Sequence, residues 1–201
     1  THVMKKFGYP TKSTDEIRNL VGKGAGAMIG RSIWGQAKKE FSKVTDQKIK
    51  DEMVKEFVNF YGKNINNDST LINGIKDFLK WCKDQNISMA VCTNKQEYLS
   101  IDLLKKIGIY DFFEYVAGSD TFDYCKPDPR HLTNVVEILD GDINKTLMFG
   151  DSETDANAAK AAEIRVILLE DGYTEKNTTE IYHNHLIKDY VGVEKIVAKY
   201  L

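Results

Sequence analysis

The sequence predicts an α/β protein in which a doubly wound, mainly parallel sheet follows an N-terminal helical region. From about residue 69 onward, short apolar segments of strand length alternate with amphipathic helical segments. These strand segments are apolar on both faces, as expected where helical crossovers cover both sides of parallel strands. The first 68 residues contain helical patterns and no convincing strand. We therefore divide the chain into a helical domain, 1–68, and an α/β domain, 69–201.

The helical domain has two helical patterns. One begins near Ile17, and the other carries apolar residues spaced by threes and fours over 49–61, with Asp46 placed to cap its start. Four glycines interrupt the first pattern: Gly22, Gly24, Gly26 and Gly30. Their spacing loosely resembles a phosphate-binding loop, but no strand precedes them, so we interpret them as a turn or a close helix contact. The polar segment 64–69 is typical of a hinge.

The α/β domain is predicted to alternate helices with strands throughout. The predicted helices cover about 75–82, 98–107, 132–139, 154–163 and 193–197. The predicted strands cover 87–92, 115–117, 146–149, 166–169 and about 186–187. Gly108 stands where a helix C-cap is expected, because glycine adopts the left-handed conformation that ends many helices.

Composition and charge exclude several classes of function. The net charge is −2 with both signs interleaved, so no basic block indicates nucleic acid binding. The apolar stretches, such as 165–169, are far too short to span a membrane, and no secretory signal pattern is present. Cys82, Cys92 and Cys125 lack metal-ligand spacing and are typical of reduced thiols. We expect a cytoplasmic protein that binds neither nucleic acid nor membranes. No feature indicates an oligomeric state.

Polar and charged side chains follow three of the predicted strands. Thr93 and Asn94 follow the first, the loop after the second leads to Lys126, and Asp151 and Asp155 follow the third. Ligands of parallel α/β sheets bind at the carboxyl ends of the strands. We therefore expect these five residues to gather at one rim of the sheet.

These residue types suit the transfer of a phosphoryl group. Carboxylate oxygens hold Mg²⁺, while a lysine and a hydroxyl neutralise charge on the transferring group. Asp155 comes four residues after Asp151 and so falls on the same side of the following helix. Each residue also has a plain structural interpretation, such as a helix cap for Thr93 or a solvated surface position for Lys126. Their joint arrival at one rim favours the chemical interpretation.

Three segments carry a resemblance to a known family. Val91-Cys-Thr-Asn-Lys95, Lys126-Pro-Asp-Pro129 and Gly150-Asp-Ser-Glu-Thr-Asp155 resemble, in order and spacing, the second, third and fourth motifs of the haloacid-dehalogenase superfamily. The helical domain occupies the place of that family's small cap, and Val21-Gly-Lys-Gly24 is similar to the cap of phosphoglycolate phosphatases. The resemblance implies a Rossmannoid core with a helical cap.

The resemblance also implies a role for each residue of the rim. Thr93 and the amide of Asn94 would bind the phosphate, and Lys126 would bridge the phosphate and a nucleophilic carboxylate. Asp151 would ligate Mg²⁺, and Asp155 would either support the metal through water or orient Lys126. The implied reaction forms an aspartyl-phosphate that water hydrolyses.

The implied substrate is a small phosphorylated metabolite similar to phosphoglycolate. Lys23, in the glycine-rich part of the cap, is a candidate for binding the substrate. Two alternatives stay open. One is a sugar-phosphate mutase or a pyrophosphatase on the same scaffold. The other is a non-catalytic remnant that binds phosphate.

The family's first motif, an apolar strand ending in Asp-x-Asp, is not found in these 201 residues. In the family this strand is central, here between 87–92 and 146–149, and it carries the nucleophile and the general acid/base. Three explanations stay open: omission of an N-terminal segment from the sequence, a truncated product, or another segment in the position of that strand. We expect the 201 residues alone to be inactive without that strand.

Overall fold

The protein divides into two compact units. The computed structural model describes residues 1–18, 20–34, 44–174 and 176–200. Within 44–174, side chains are described from residue 47 onward. One unit is Thr1–Ile65 and the other is Asn66–Leu201. The division falls in the polar segment 64–69, which also contains the boundary expected from the sequence.

The described residues of the first unit form four helices with connecting turns, and none of them lies in a strand. Its helices are α1 (His2–Lys6), α2 (Thr14–Arg18), α3 (Ala25–Trp34) and α4 (Val44–Lys63). Four buried side chains form its apolar core: Val3, Met4, Ile29 and Met53. The core therefore joins α1, α3 and α4, and the periodic apolar positions of the α4 sequence account for the contact.

The glycine-rich turn and the start of α4 test two predictions made from the sequence of the helical unit. Gly22 and Gly24 have φ angles of 99° and 82° and lie in the turn between α2 and α3, so the interpretation as a turn is confirmed for them. The prediction that Asp46 caps its helix is wrong, because α4 already includes Val44. A carboxylate is favoured both at the N-cap and in the first helical turn, so the residue type alone does not separate these positions.

The second unit contains every strand and helix predicted for it. The helices are α5 (Ile75–Asp84), α6 (Glu97–Lys106), α7 (Arg130–Ile138), α8 (Glu153–Ala161) and α9 (Glu194–Val197). The strands are β1 (Ala90–Cys92), β2 (Tyr115–Ala117), β3 (Leu147–Gly150), β4 (Arg165–Leu169) and β5 (His185–Ile187). Among the described residues β1 pairs with β2, β3 with β4, and β4 with β5, and all three pairings are parallel.

Helices cover both faces of this sheet, as the apolar strands predict. In β4, Val166 and Leu168 face a core formed with α7 and α8, whereas Ile167 faces a core formed with α5 and α9. All three side chains are 0 % exposed. Consecutive residues of a strand point to opposite faces, so a continuous apolar run requires cover on both sides. The predicted α/β fold class is confirmed.

The sheet is divided between β1 and β3. Among the described residues, no strand pairing joins these two strands. Between them lies an apolar cavity of about 530 Å³, which we call the interstrand cavity. Its walls include Ala90, Val91 and Cys92 of β1 and Leu147, Met148 and Phe149 of β3. Well-packed interiors contain few voids larger than a water molecule, so a cavity of this size is exceptional in a core.

Candidate active site

A buried ion pair lies at the carboxyl end of β1. The Nζ of Lys126 donates to Oδ1 of Asp155 at 2.6 Å and also to the backbone carbonyl of Cys92. Lys126 is 7 % exposed and Asp155 is 6 % exposed. Charges are rarely buried unless they are paired. Lys126 therefore connects the end of β1 to the start of α8.

Asp155 also takes part in capping the N-terminus of α8. Its Oδ2 accepts hydrogen bonds from Oγ of Ser152 at 2.7 Å, from the Ser152 N–H at 3.1 Å and from the Asp151 N–H at 3.2 Å. Ser152 is the N-cap of α8 and forms a capping box with Asp155. Burial would raise the pKa of Asp155, but the Lys126 ammonium and the hydrogen bonds from Lys126 and Ser152 outweigh it and hold that pKa below its usual range. Of the two roles implied for Asp155, this arrangement fits the orientation of Lys126.

Asp151 follows β3 directly and is surrounded differently. Its carboxylate accepts a hydrogen bond from the backbone N–H of Tyr173, and its pKa is raised to about 6, first by burial and then by the negative charge of Asp155. A Cβ on Gly172 would lie 1.7 Å from the carbonyl oxygen of Asp151, so the loop after β4 is in close contact with this residue. A bound cation would offset both causes of the raised pKa.

The residues of this rim fit Mg²⁺ in part. Mg²⁺ in phosphoryl-transfer sites keeps several waters and binds one or two carboxylates together with phosphate oxygens. Asp151 offers one such carboxylate, while both oxygens of Asp155 accept hydrogen bonds from the protein. The described residues contain no group of three or more His, Cys, Asp or Glu side chains placed to hold a metal. Asp151 therefore fits as one ligand, with the others to come from water, the substrate or a further carboxylate.

Thr93 and Asn94 complete the rim. The Thr93 N–H donates to the Ala117 carbonyl at 2.9 Å, and its Oγ1 accepts from the Lys95 N–H at 3.2 Å. The side-chain amide of Asn94 donates to the Lys126 carbonyl at 2.8 Å. Hydrogen bonds thus connect Asn94, Lys126, Asp155 and Asp151, and Thr93 precedes Asn94 at the end of β1.

Lys23 belongs to the helical unit. It lies exposed in the turn between α2 and α3.

Three further features contribute to the rim, and only one of them leaves a signal in the sequence. Ser152 had a readable signal, because Ser-x-x-Asp before a helix is a variant of the capping-box pattern. His131, which contacts the Lys126 backbone, is a lone histidine without a motif. The contact of Gly172 with Asp151 joins residues of two different loops, and no local pattern encodes it.

We expect Asp151→Asn to stabilise the α/β unit at pH 8 by on the order of 2 kcal/mol. The folded-state pKa of about 6 exceeds the ordinary value of 3.8, so ionisation of this carboxyl opposes folding increasingly as pH rises through that window. The neutral amide avoids that cost. Chemical denaturation at pH 8 and pH 4 measures the effect, which should nearly vanish at pH 4. Asp102→Asn, an exposed change on α6, is the control. A gain of equal size at both pH values would contradict the explanation.

Comparison with known proteins identifies the family. Residues 1–169 match the family model described as haloacid dehalogenase-like hydrolase. The match covers well over half of the chain, and the chain belongs to this family.

Relatives with assigned names agree with this membership. The phosphoglycolate phosphatase of Mesorhizobium japonicum is 35% identical over 185 residues, covering 92% of this chain and 79% of that protein. The phosphoglycolate phosphatase of Agrobacterium fabrum is 32% identical over 203 residues, covering 98% and 85%. The crystal structure of a predicted phosphoglycolate phosphatase from Haemophilus somnus superimposes with a TM-score of 0.86 at 25% identity, covering 97% of this chain and 87% of that one. The predicted family and the predicted class of enzyme, a phosphatase, are confirmed.

Proposed function

We propose that this phosphatase hydrolyses a small phosphate monoester of the phosphoglycolate type, with Mg²⁺ and through an aspartyl-phosphate. The observation that carries the proposal is the buried Lys126–Asp155 ion pair, which lies beside Asp151 at the carboxyl ends of β1 and β3. The names of the relatives support the substrate class. The charges of the rim support phosphate chemistry, because a buried ammonium next to a potential cation site favours a dianionic ligand.

Lys126 and Thr93 have hydrogen-bond donors suited to a phosphate. An ammonium has three N–H donors, and Lys126 uses two of them on Asp155 and Cys92. The Thr93 Oγ1 accepts from the Lys95 N–H, which leaves its own hydroxyl proton to donate. We assign the third N–H of Lys126, the Thr93 hydroxyl and the backbone N–H of Asn94 to the phosphate oxygens. In a buried site these charge-assisted bonds are stronger than in water.

Asp151 is assigned to Mg²⁺. The ion, when bound, neutralises charge on the transferring phosphoryl group. Asp151 supplies a carboxylate at the end of β3, and the Tyr173 N–H and the close contact of Gly172 hold it in place. Lys23 is proposed as a further contact of the substrate, from the helical unit that we assign as a cap.

The nucleophile is assigned to a strand outside these 201 residues. We propose that an apolar strand fills the interstrand cavity and pairs with β1 and β3, which places its carboxyl end at the same rim as Lys126. An aspartate there attacks phosphorus, and the bond to the ester oxygen breaks. A second aspartate protonates the leaving oxygen. Water, deprotonated by that same aspartate, then hydrolyses the acyl-phosphate, releasing phosphate and restoring the carboxylate.

Turnover by the full-length protein tests the proposal. We expect hydrolysis of phosphoglycolate to depend on Mg²⁺ and to exceed hydrolysis of a hexose phosphate and of pyrophosphate. Asp151→Asn should lower kcat/KM by at least about 100-fold and remove the response to Mg²⁺. Asp102→Asn, on the exposed face of α6, should behave as the parent protein does. Normal Mg²⁺-stimulated turnover by Asp151→Asn would show that the metal site is misplaced. A preference for another ester would remove the substrate assignment alone.

A further inference from the structure

His131 is a buried polar residue for which the proposed reaction has no role. It is the second residue of α7 and is 0 % exposed. A buried imidazole needs hydrogen-bond partners, because an unpaired polar group in a core costs stability. Its partners therefore indicate what it does.

Its two ring nitrogens bind two different loops. Nδ1 accepts a hydrogen bond from the backbone N–H of Lys126 at 3.2 Å, and Nε2 lies 3.1 Å from the carbonyl oxygen of Gly118. A backbone N–H can only donate and a carbonyl can only accept, so Nδ1 is bare and Nε2 carries the proton. The ring is therefore neutral. Burial, and after it the positive charge of Lys126, lower the pKa of His131 and favour this neutral form.

The Gly118 end of this bridge is itself fixed. The Gly118 N–H donates to Oγ1 of Thr121 at 2.8 Å, and Thr121 in turn donates to Oε2 of Glu97 at 2.5 Å. A Cβ on Gly118 would lie 2.2 Å from the backbone nitrogen of Glu97, so the loop after β2 is pressed against the start of α6. Nε2 of His131 is consequently anchored to a part of the unit with little freedom to move.

The other end of the bridge fixes the backbone of Lys126. His131 accepts from the Lys126 N–H, while the side-chain amide of Asn94 donates to the Lys126 carbonyl. The backbone of Lys126 is thus held from both sides, and its long side chain starts from a fixed position. An ammonium on a flexible chain must otherwise lose conformational entropy to keep its contacts.

We infer that His131 is a positioning residue, whose bare Nδ1 holds the backbone N–H of Lys126 and so sets the reach of the Lys126 ammonium, while the Nε2–H bond to Gly118 fixes the tautomer that leaves Nδ1 bare. His131 touches neither the phosphate nor the reacting atoms. The inference rests on the role proposed for Lys126, and it predicts that only one of the two imidazole hydrogen bonds matters for the reaction.

A matched pair of variants separates the two hydrogen bonds. His131→Asn puts an amide oxygen near the position of Nδ1 and keeps the acceptor for Lys126, whereas His131→Gln puts an amide nitrogen near Nε2 and keeps the donor to Gly118. Each variant leaves one backbone group unpaired, so both should lose stability to a similar extent. In the full-length protein, kcat should fall roughly 10- to 100-fold in His131→Gln with KM little changed. It should fall less than about 3-fold in His131→Asn. Equal kcat in the two variants, or the reverse order, would overturn the inference.

A measurement that does not need turnover accompanies the kinetics. Hydrogen exchange of the Lys126 amide should remain slow in His131→Asn and become faster in His131→Gln, because only the second variant removes its acceptor. Nitrogen NMR of the parent protein at pH 7 should find Nδ1 bare and Nε2 protonated. The opposite tautomer, or equal exchange in both variants, would refute the bridge. If the parent protein hydrolysed no phosphate ester while these signatures held, the proposed function would fail and the bridge from His131 to Lys126 would stand.

Discussion

Lys126→Met is expected to destabilise the α/β unit by about 3–5 kcal/mol and to lower kcat by at least about 1000-fold. Methionine approximates the length of the lysine side chain but leaves the Asp155 carboxylate buried at 6 % exposure without its counter-charge. The remaining bonds, from Ser152 and from the Asp151 N–H, all reach Oδ2 and leave Oδ1 without a donor that this structure gives it. Burial, now opposed by fewer groups, then raises the pKa of Asp155. Urea denaturation at pH 7.5 and steady-state kinetics of the full-length protein measure the two effects.

The pH dependence of this loss has a definite sign. In the parent protein the pKa of Asp155 lies below its ordinary value of 3.8, so the stability that the ion pair contributes is present at neutral pH and is lost as pH falls through that lowered pKa. In Lys126→Met the carboxyl becomes protonated at a higher pH, which relieves the buried charge. The difference in stability between the two proteins should therefore narrow as pH falls towards 4.

Two further variants separate charge from chemistry. Lys106→Met removes an exposed ion pair with Asp102 on α6, where both side chains are more than 40 % exposed, and should cost only roughly 0.3–0.5 kcal/mol. The double variant Lys126→Met with Asp155→Asn removes both buried charges, and it should recover much of the stability but none of the turnover. A cost for Lys126→Met no larger than that of Lys106→Met, or a parental kcat, would contradict the role of the buried pair.

The fold is predictable from the sequence wherever burial alone determines the pattern. β4 lies in a continuous apolar run because helices cover both of its faces, and that run is visible without coordinates. The end of α6 is equally readable, since Gly108 has a φ angle of 70° just beyond the helix. In both cases the physical cause acts on neighbours in sequence or on a whole face. A local pattern therefore suffices.

The site is only partly predictable, because its geometry depends on contacts between distant loops. The residues that reach the rim can be predicted from the positions at which the strands end. On that basis the sequence places Thr93, Lys126 and Asp151 at the rim. What Asp155 does depends on Ser152, Lys126 and the start of α8 together, and its spacing from Asp151 fits a metal ligand as well as a helix cap. The contact of His131 with Gly118 joins positions 13 residues apart and has no sequence signature.

Filling the interstrand cavity is expected to have the largest effect of all, because it should convert the 201-residue chain from an inactive protein to an active one. The edges of β1 and β3 that border the cavity have no strand partners among the described residues, and unpaired edges accept an added strand. At about 3.3 Å per residue, five or six apolar residues span the length of β3 and the approach to the rim. Such a segment, ending in Asp-x-Asp, is to be supplied as a peptide or as an N-terminal extension.

Stability and turnover are both measured after the segment is added. Binding of the peptide to the folded chain should raise Tm with peptide concentration, as expected for any ligand of the native state. Hydrolysis of p-nitrophenyl phosphate in the presence of Mg²⁺ should appear together with that stabilisation. Cys92 lines the cavity, and burial already raises the pKa of its thiol to about 11, so alkylation of Cys92 should become slower still when the cavity is filled.

Variants of the added segment separate binding from chemistry. A proline at its centre cannot donate to the ladder and should abolish both stabilisation and turnover. Replacement of Asp-x-Asp by Asn-x-Asn should keep the stabilisation and abolish turnover, since the strand still fills the cavity but offers no nucleophile. If the 201-residue chain by itself hydrolysed the ester with the same Mg²⁺-dependent kcat as the extended chain, the nucleophile would have to lie within these 201 residues and the assignment of the cavity would be wrong.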